Sequence, residues 1–188
     1  MNILWIILAV IAVVVTFINL TKSDKKSKER NDQVTREKTE KTAKVSKWME
    51  QNDLKPEITL VAEDAVVAAE KGSFVYYSDG KDPISFQKIP LEKVQNVHSY
   101  NRWDGELIRL WLSASQYEAG VKPMINKKNY DNFSKRIGEP LYGIKLAMKD
   151  GNVIDIPCYY LKMEGLQYKK DESEQTVRFA EQLMSMLH

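Results

Sequence analysis

The sequence predicts an α+β chain: an N-terminal transmembrane helix and a charged helical stalk, then an antiparallel β-rich domain with a C-terminal capping helix. Three observations predict it. Ile3 to Leu20 is an uninterrupted uncharged stretch, and Thr21 to Ser46 has only Val34, Ala43 and Val45 as apolar members. From Ile58 onward, short apolar runs alternate with turn residues until an amphipathic stretch closes the chain. The expected boundaries are 1–21 for the anchor, 22–56 for the stalk and 57–188 for the domain.

The first element is ILWIILAVIAVVVTFINL. At about 1.5 Å per residue a helix of this length reaches roughly 27 Å, close to the ~30 Å of a bilayer's hydrocarbon core. Ile3, Trp5, Ile11, Val15 and Leu20 mark the expected span, with Trp5 as an interface aromatic. A cleaved signal peptide fits less well. Met1 and Asn2 supply no basic n-region, and the exit FINLTKSDKK has no small-x-small cleavage site. The stretch therefore reads as an uncleaved signal-anchor.

The stalk follows. Lys22 to Lys47 contains ten basic and five acidic residues, and short Lys/Arg-rich flanks stay on the cytoplasmic side. The expectation is a single-pass inner (plasma) membrane protein, N-terminus outside and C-terminal domain cytoplasmic. Lys22, Lys25, Lys26, Lys28 and Arg30 read as topology determinants, with contact to anionic headgroups as the alternative. Helix formers dominate the stalk, and Glu37 with Lys41 and Glu40 with Lys44 stand at i, i+4. Val45, Trp48 and Met49 form an apolar patch that predicts docking of the stalk's end on the domain, and Pro56 stops the helix near Asp53 to Lys55.

In the domain the candidate strands are Ile58 to Ala62, Ala65 to Glu70, Ser73 to Ser78, Ile84 to Ile89, Val94 to Tyr100, Leu107 to Ser113, Tyr142 to Lys149 and Val153 to Tyr160. Asp79-Gly80, Asp104-Gly105 and Asp150-Gly151 read as hairpin turns, because both residue types tolerate positive φ. The clearest hairpin is YGIKLAMK-DG-NVIDIP, with Ile144, Leu146 and Met148 alternating before the turn and Ile154 and Ile156 after it. Glu118 to Leu141 lacks strand alternation and reads as a lid, binding loop or small helical insert, with a short helix within Asn129 to Ile137. At the C-terminus, Asp171 and Glu174 have capping-box spacing, and Val177, Ala180, Leu183, Met184 and Leu187 make one apolar stripe.

This order of elements, with the stretches FQKIPLEKV and YKKDESEQTVRFAEQLMSML, resembles bacterial pleckstrin-homology-like (PH-like) domains from about Ile58 to Leu187. The resemblance implies a curved, seven-stranded, barrel-like β-sandwich closed by the C-terminal helix, used as a scaffold for binding proteins, peptides or lipids. Two departures stand out: a long Glu118 to Leu141 insert, and a first hairpin without a phosphoinositide-type basic cluster.

Composition narrows the chemistry. One Cys excludes a disulfide framework. His98 and His188 stand in no metal-binding spacing, and Cys158 in VIDIPCYY reads as a core strand residue. There is no P-loop, G-x-G-x-x-G or G-x-S-x-G. No catalytic residue, metal or cofactor is expected, and the mildly acidic region from Trp48 onward argues against nucleic acid. Candidate partner-binding residues are Tyr100, Arg102, Trp103 and Arg109 around Asp104-Gly105, since aromatic plus Arg is hot-spot composition, and Lys127, Lys128 and Tyr130 in the insert. The acid pair Glu63 and Asp64 reads as loop solvation.

The leading functional reading is a membrane-anchored cytoplasmic interaction module: a protein-binding adaptor or regulator, of a layout also found in accessory or prophage-encoded proteins. Its partners would be the bilayer and a membrane-proximal protein, with self-association through span or stalk as a further option. The alternative is a lipid-headgroup-binding membrane sensor; an anchored hydrolase ranks last.

Overall fold

The computed structural model describes residues 29, 32–33, 35–121, 123–163 and 170–187. The chain divides into two compact units, Met1–Ala43 and Lys44–His188. The described residues of the first are helical, and residues 35–51 form α1, whose last two turns from Lys44 belong to the second unit.

The larger unit runs β1 (Ile58–Val61), β2 (Val66–Glu70), β3 (Phe74–Ser78), β4 (Gln87–Pro90), a 3₁₀ turn at Leu91–Lys93 and β5 (Val94–Asn101). It continues with α2 (Gly105–Glu118), α3 (Pro123–Ser134), β6 (Pro140–Met148), β7 (Val153–Tyr160) and α4 (Lys170–Ser185). Two antiparallel sheets result, a four-stranded one in the order β1-β2-β3-β4 and a three-stranded one in the order β5-β6-β7. Their facing sides enclose the main core, with Leu60, Val67, Val75 and Ile89 from the first sheet and Val97, Ile144, Leu146 and Ile156 from the second. α4 packs on β5, β1 and β6 and adds Phe179, Ala180 and Leu183.

The outer face of the four-stranded sheet is covered as well. Val45 and Met49 of α1 are buried with Val66, Ala68 and Tyr76, joined by Trp48, Leu54, Phe74, Ile84 and Phe86. Trp48 and Phe86 have ring centroids 5.1 Å apart. This second cluster is why β2 reads VVAA without alternation: a strand buried on both faces needs apolar residues at every position. α1 ends in a Schellman arrangement. Leu54 N–H donates to Met49 O at 3.0 Å and Asp53 N–H to Glu50 O at 3.2 Å, with Asp53 at φ 53° and the Leu54 and Met49 side chains in the same cluster.

Several sequence expectations are corrected. Among the described residues no helix is long and apolar enough to cross a membrane. Among the described residues the fold class is therefore α+β with two antiparallel sheets, and the expected transmembrane helix is not found among them. The expected anchor, Ile3 to Leu20 with Ile3, Trp5, Ile11, Val15 and Leu20, lies outside the described residues, as do Lys22, Lys25, Lys26, Lys28 and Arg30.

Leu107 to Ser113 is helix and not strand, because Asp104 is an N-cap whose Oδ1 accepts from Leu107 N–H at 2.8 Å. The Asp104-Gly105 pair therefore starts a helix rather than closing a hairpin. Asp79-Gly80 opens a longer connection, where Asp79 Oδ1 accepts from Lys81 N–H at 3.1 Å. Only Asp150-Gly151 forms a strand hairpin, with Gly151 at φ 87° and Asp150 Oδ1 accepting from Asn152 N–H at 3.0 Å.

Half of the insert is α3, which makes a helical hairpin with α2 and sends Phe133 into the main core. In α4 the buried face is Glu172, Thr176, Phe179, Ala180 and Leu183, whereas Val177 is 38% exposed. The inward face is rotated because the first turn buries a carboxylate: Tyr142 Oη donates to Glu172 Oε2 at 3.0 Å. Since α4 already begins at Lys170, Asp171 sits inside the first turn and not at the cap.

Candidate functional site

The three-stranded sheet turns one face to the core and presents the other outward. Pairing register sets the outer rows: His98, Lys145 and Asp155 stand side by side, followed by Tyr100, Gly143 and Pro157. His98 and Asp155 are exposed, while Tyr100 and Lys145 are half-buried. Strand alternation places these residues opposite the core set Val97, Ile144 and Ile156.

Gly143 shapes this face. A Cβ there would lie 2.4 Å from Ile156 O, 2.7 Å from Tyr100 Oη and 2.9 Å from Tyr100 Cζ. The tyrosine thus lies across β6 in the space that the missing side chain leaves, an aromatic covering a glycine on its neighbour strand. Two cations stack on the same ring. The Arg102 guanidinium carbon is 5.0 Å and Lys145 Nζ 5.5 Å from its centroid, distances at which each contact is worth about 0.5–1 kcal/mol near the surface.

The Tyr100 hydroxyl oxygen is buried without a hydrogen-bond partner among the described residues. Burial first, and the neighbouring Asp155 carboxylate second, raise its phenol well above the ordinary value. Asp155 acts there through its field, since no acceptor meets the hydroxyl in hydrogen-bond geometry. Among the described residues neither Arg102 nor Lys145 forms an ion pair, although Asp155 is the cross-strand neighbour of Lys145. The base of the platform is fixed. Arg102 N–H donates to Leu141 O at 2.8 Å, and Asn101 Nδ2 donates to Ser173 Oγ of α4 at 3.1 Å.

The structure sorts the sequence candidates. Tyr100 and Arg102 come together, and Lys145, which sequence reasoning missed, joins them. Its signal was present in the outward position of Lys145 within YGIKLAMK, but cross-strand proximity to Tyr100 needs the register. Trp103 is half-buried rather than displayed on the surface. It packs against the main core with its ring 6.5 Å from Trp111, edge to face, and Trp111 Nε1 donates to Met163 O at 3.1 Å.

Arg109 is exposed on α2, and Lys127 and Lys128 are exposed on α3. Tyr130 is tucked against Tyr117, with centroids 4.8 Å apart, and packs on the core. Among the described residues no hydrogen bond or ion pair joins Arg109, Lys127 or Lys128 to Tyr100 or Arg102.

Other chemistry-bearing residues have structural partners. Cys158 is fully buried, and burial pushes its thiol up to about 12, with the Thr176 hydroxyl acting in the opposite sense. Glu63 and Asp64 are not simply solvated. Both pair with Lys162, Asp64 at 3.1 Å, and Asp64 Oδ2 accepts from Tyr160 N–H at 3.0 Å, tying the β1–β2 turn to the end of β7. Among the described residues no group of three His, Cys, Asp or Glu could hold a metal ion.

An α+β module of two antiparallel sheets with an aromatic-cationic outer face is thus the class that fold and site define. The chain matches no protein-family model, no curated protein and no solved structure.

Proposed function

We propose that this chain is a protein-binding interaction module, an adaptor or regulator, and that it engages its partner through the outer face of the β5-β6-β7 sheet. The observation that carries the reading is the Tyr100 ring held over Gly143 with Arg102 and Lys145 stacked on it, both cations free of ion pairs among the described residues. Aromatic and arginine side chains dominate binding hot spots because they bring large contact area and directional hydrogen bonding at low entropic cost. Here the ring geometry is set before any partner arrives, which lowers the ordering cost of association.

The arrangement of four and three strands with a closing helix also supports reading the domain as PH-like, a group used as a binding scaffold. Reversal of charge tests the proposal. Full-length protein carrying Arg102→Glu and Lys145→Glu is compared in affinity capture with the parent and with Lys71→Glu, a control on the exposed β2–β3 turn. A partner recovered by parent and control but lost from the double variant supports the surface. Equal recovery by all three rejects it.

A further inference from the structure

Resting on the reading that this face binds a protein, we infer that the partner's contacting element is an extended acidic peptide segment whose carboxylates engage Arg102 and Lys145 beside Tyr100. Both cationic centres lie within 5.5 Å of one ring centre. Their separation is therefore no more than about three residues of an extended segment span at ~3.3 Å per residue. Side chains at i and i+2 of such a segment point the same way, so an acidic-x-acidic pattern places two carboxylates on one side.

The guanidinium offers a planar fork matched to a carboxylate, and the half-buried ammonium of Lys145 is partly stripped of water by the ring beside it. Two like charges held on one ring repel each other, and carboxylates paired with them offset that repulsion. Asp155 decides between kinds of anionic partner. It is exposed in the same row as His98 and Lys145, so a continuous anionic surface laid on this face meets a repelling carboxylate. Discrete carboxylates spaced along a peptide reach Arg102 and Lys145 while an uncharged residue of the segment is set against Asp155. Beside the row, Val153 is 61% exposed and gives an apolar ledge for a residue between or after the acids.

The test uses the full chain with hexaglutamate as probe, followed by backbone amide shifts and calorimetry, with hexalysine, inorganic phosphate and phosphatidylglycerol vesicles as comparison arms. Saturable hexaglutamate binding that shifts the amides around His98, Tyr100 and Lys145 is expected. It weakens about tenfold in Arg102→Gln/Lys145→Gln, whose two lost exposed pairs account for that order of change, and weakens further as salt rises. Thermal melts of the variant confirm that it folds.

No saturable peptide binding, undiminished binding by the double variant, or occupation of the same amides by phosphate or vesicles in place of the peptide overturns the inference. Loss of partner capture by the charge-reversed variant together with silence toward hexaglutamate rejects the acidic segment while the interaction surface stands. Unchanged capture rejects both.

Discussion

Gly143 and Asp53 are two positions at which the backbone bears directly on the side chain. At Gly143 any side chain collides with Ile156 O, a backbone atom that cannot swing away, and with the Tyr100 ring. Gly143→Ala is expected to cost about 1–3 kcal/mol through overpacking, read as a lower urea midpoint. It should also displace Tyr100, which its aromatic resonances report. An unchanged midpoint would show that β6 and β7 can part without penalty. Asp53 is the reverse case, because it occupies the left-handed region at φ 53° as the residue after a helix C-terminus. Glycine there removes the steric cost and also a negative charge from the negative end of the helix dipole. Asp53→Gly is expected to raise stability by about 0.5 kcal/mol net of the extra freedom glycine has when unfolded. A loss of stability would mean that the carboxylate makes a contact of its own.

Among the elements, α2 shows how a local signal can be misread. Asp104-Gly105 suits a hairpin turn and equally suits a helix start, and the following LIRLWLS is apolar at positions compatible with either period. Leu107, Leu110 and Ala114 point inward at helical spacing, while Ile108 and Leu112 remain 38% and 50% exposed. Asp104→Ala should cost about 1 kcal/mol and fray the first turn of α2, detected as faster amide exchange at Leu107 and Ile108. If exchange stays slow, tertiary packing alone holds the helix start. The strands were more legible. Seven of the eight candidates contain a strand, although the one expected over Ile84 to Ile89 begins only at Gln87, because short apolar runs and turn residues are local properties. The end of α1 was equally legible in Val45, Trp48 and Met49, which are spaced to make one face and do so. α4 was legible as a helix but not in rotation. Its buried Glu172 breaks the apolar stripe, and the Tyr142 hydroxyl on β6, which donates to it, helps a carboxylate to be tolerated there.

For the whole molecule, the buried acidic hydrogens of Cys158, Tyr76, Tyr100 and Tyr142 act together. Burial is the first cause of each shift; it pushes Cys158 and Tyr76 up to about 12 and raises Tyr100 and Tyr142 as well. Each group is favoured neutral in the fold and ionises more readily in the unfolded chain. Its stabilising contribution is thus complete below the ordinary thiol or phenol value and is lost as pH rises toward the folded one. Stability should hold to about pH 8 and then fall, by about 1.4 kcal/mol per pH unit for each group ionised only in the unfolded state. Urea midpoints between pH 8 and 11 measure this, and Cys158→Ala should flatten the early part of the decline; a level profile would contradict the burial of all four.

What the sequence determined by itself was everything carried by neighbours along the chain: strand positions, the closing helix, the Asp150-Gly151 hairpin and the docking face of α1. Tertiary structure alone decided which face of the LIRLWLS helix is buried, that Glu172 faces the core, and that Tyr100, Gly143 and Lys145 meet on one surface. Those outcomes depend on register and packing between residues distant in the chain, and a free energy distributed over non-local contacts leaves no periodicity in the sequence from which to read it.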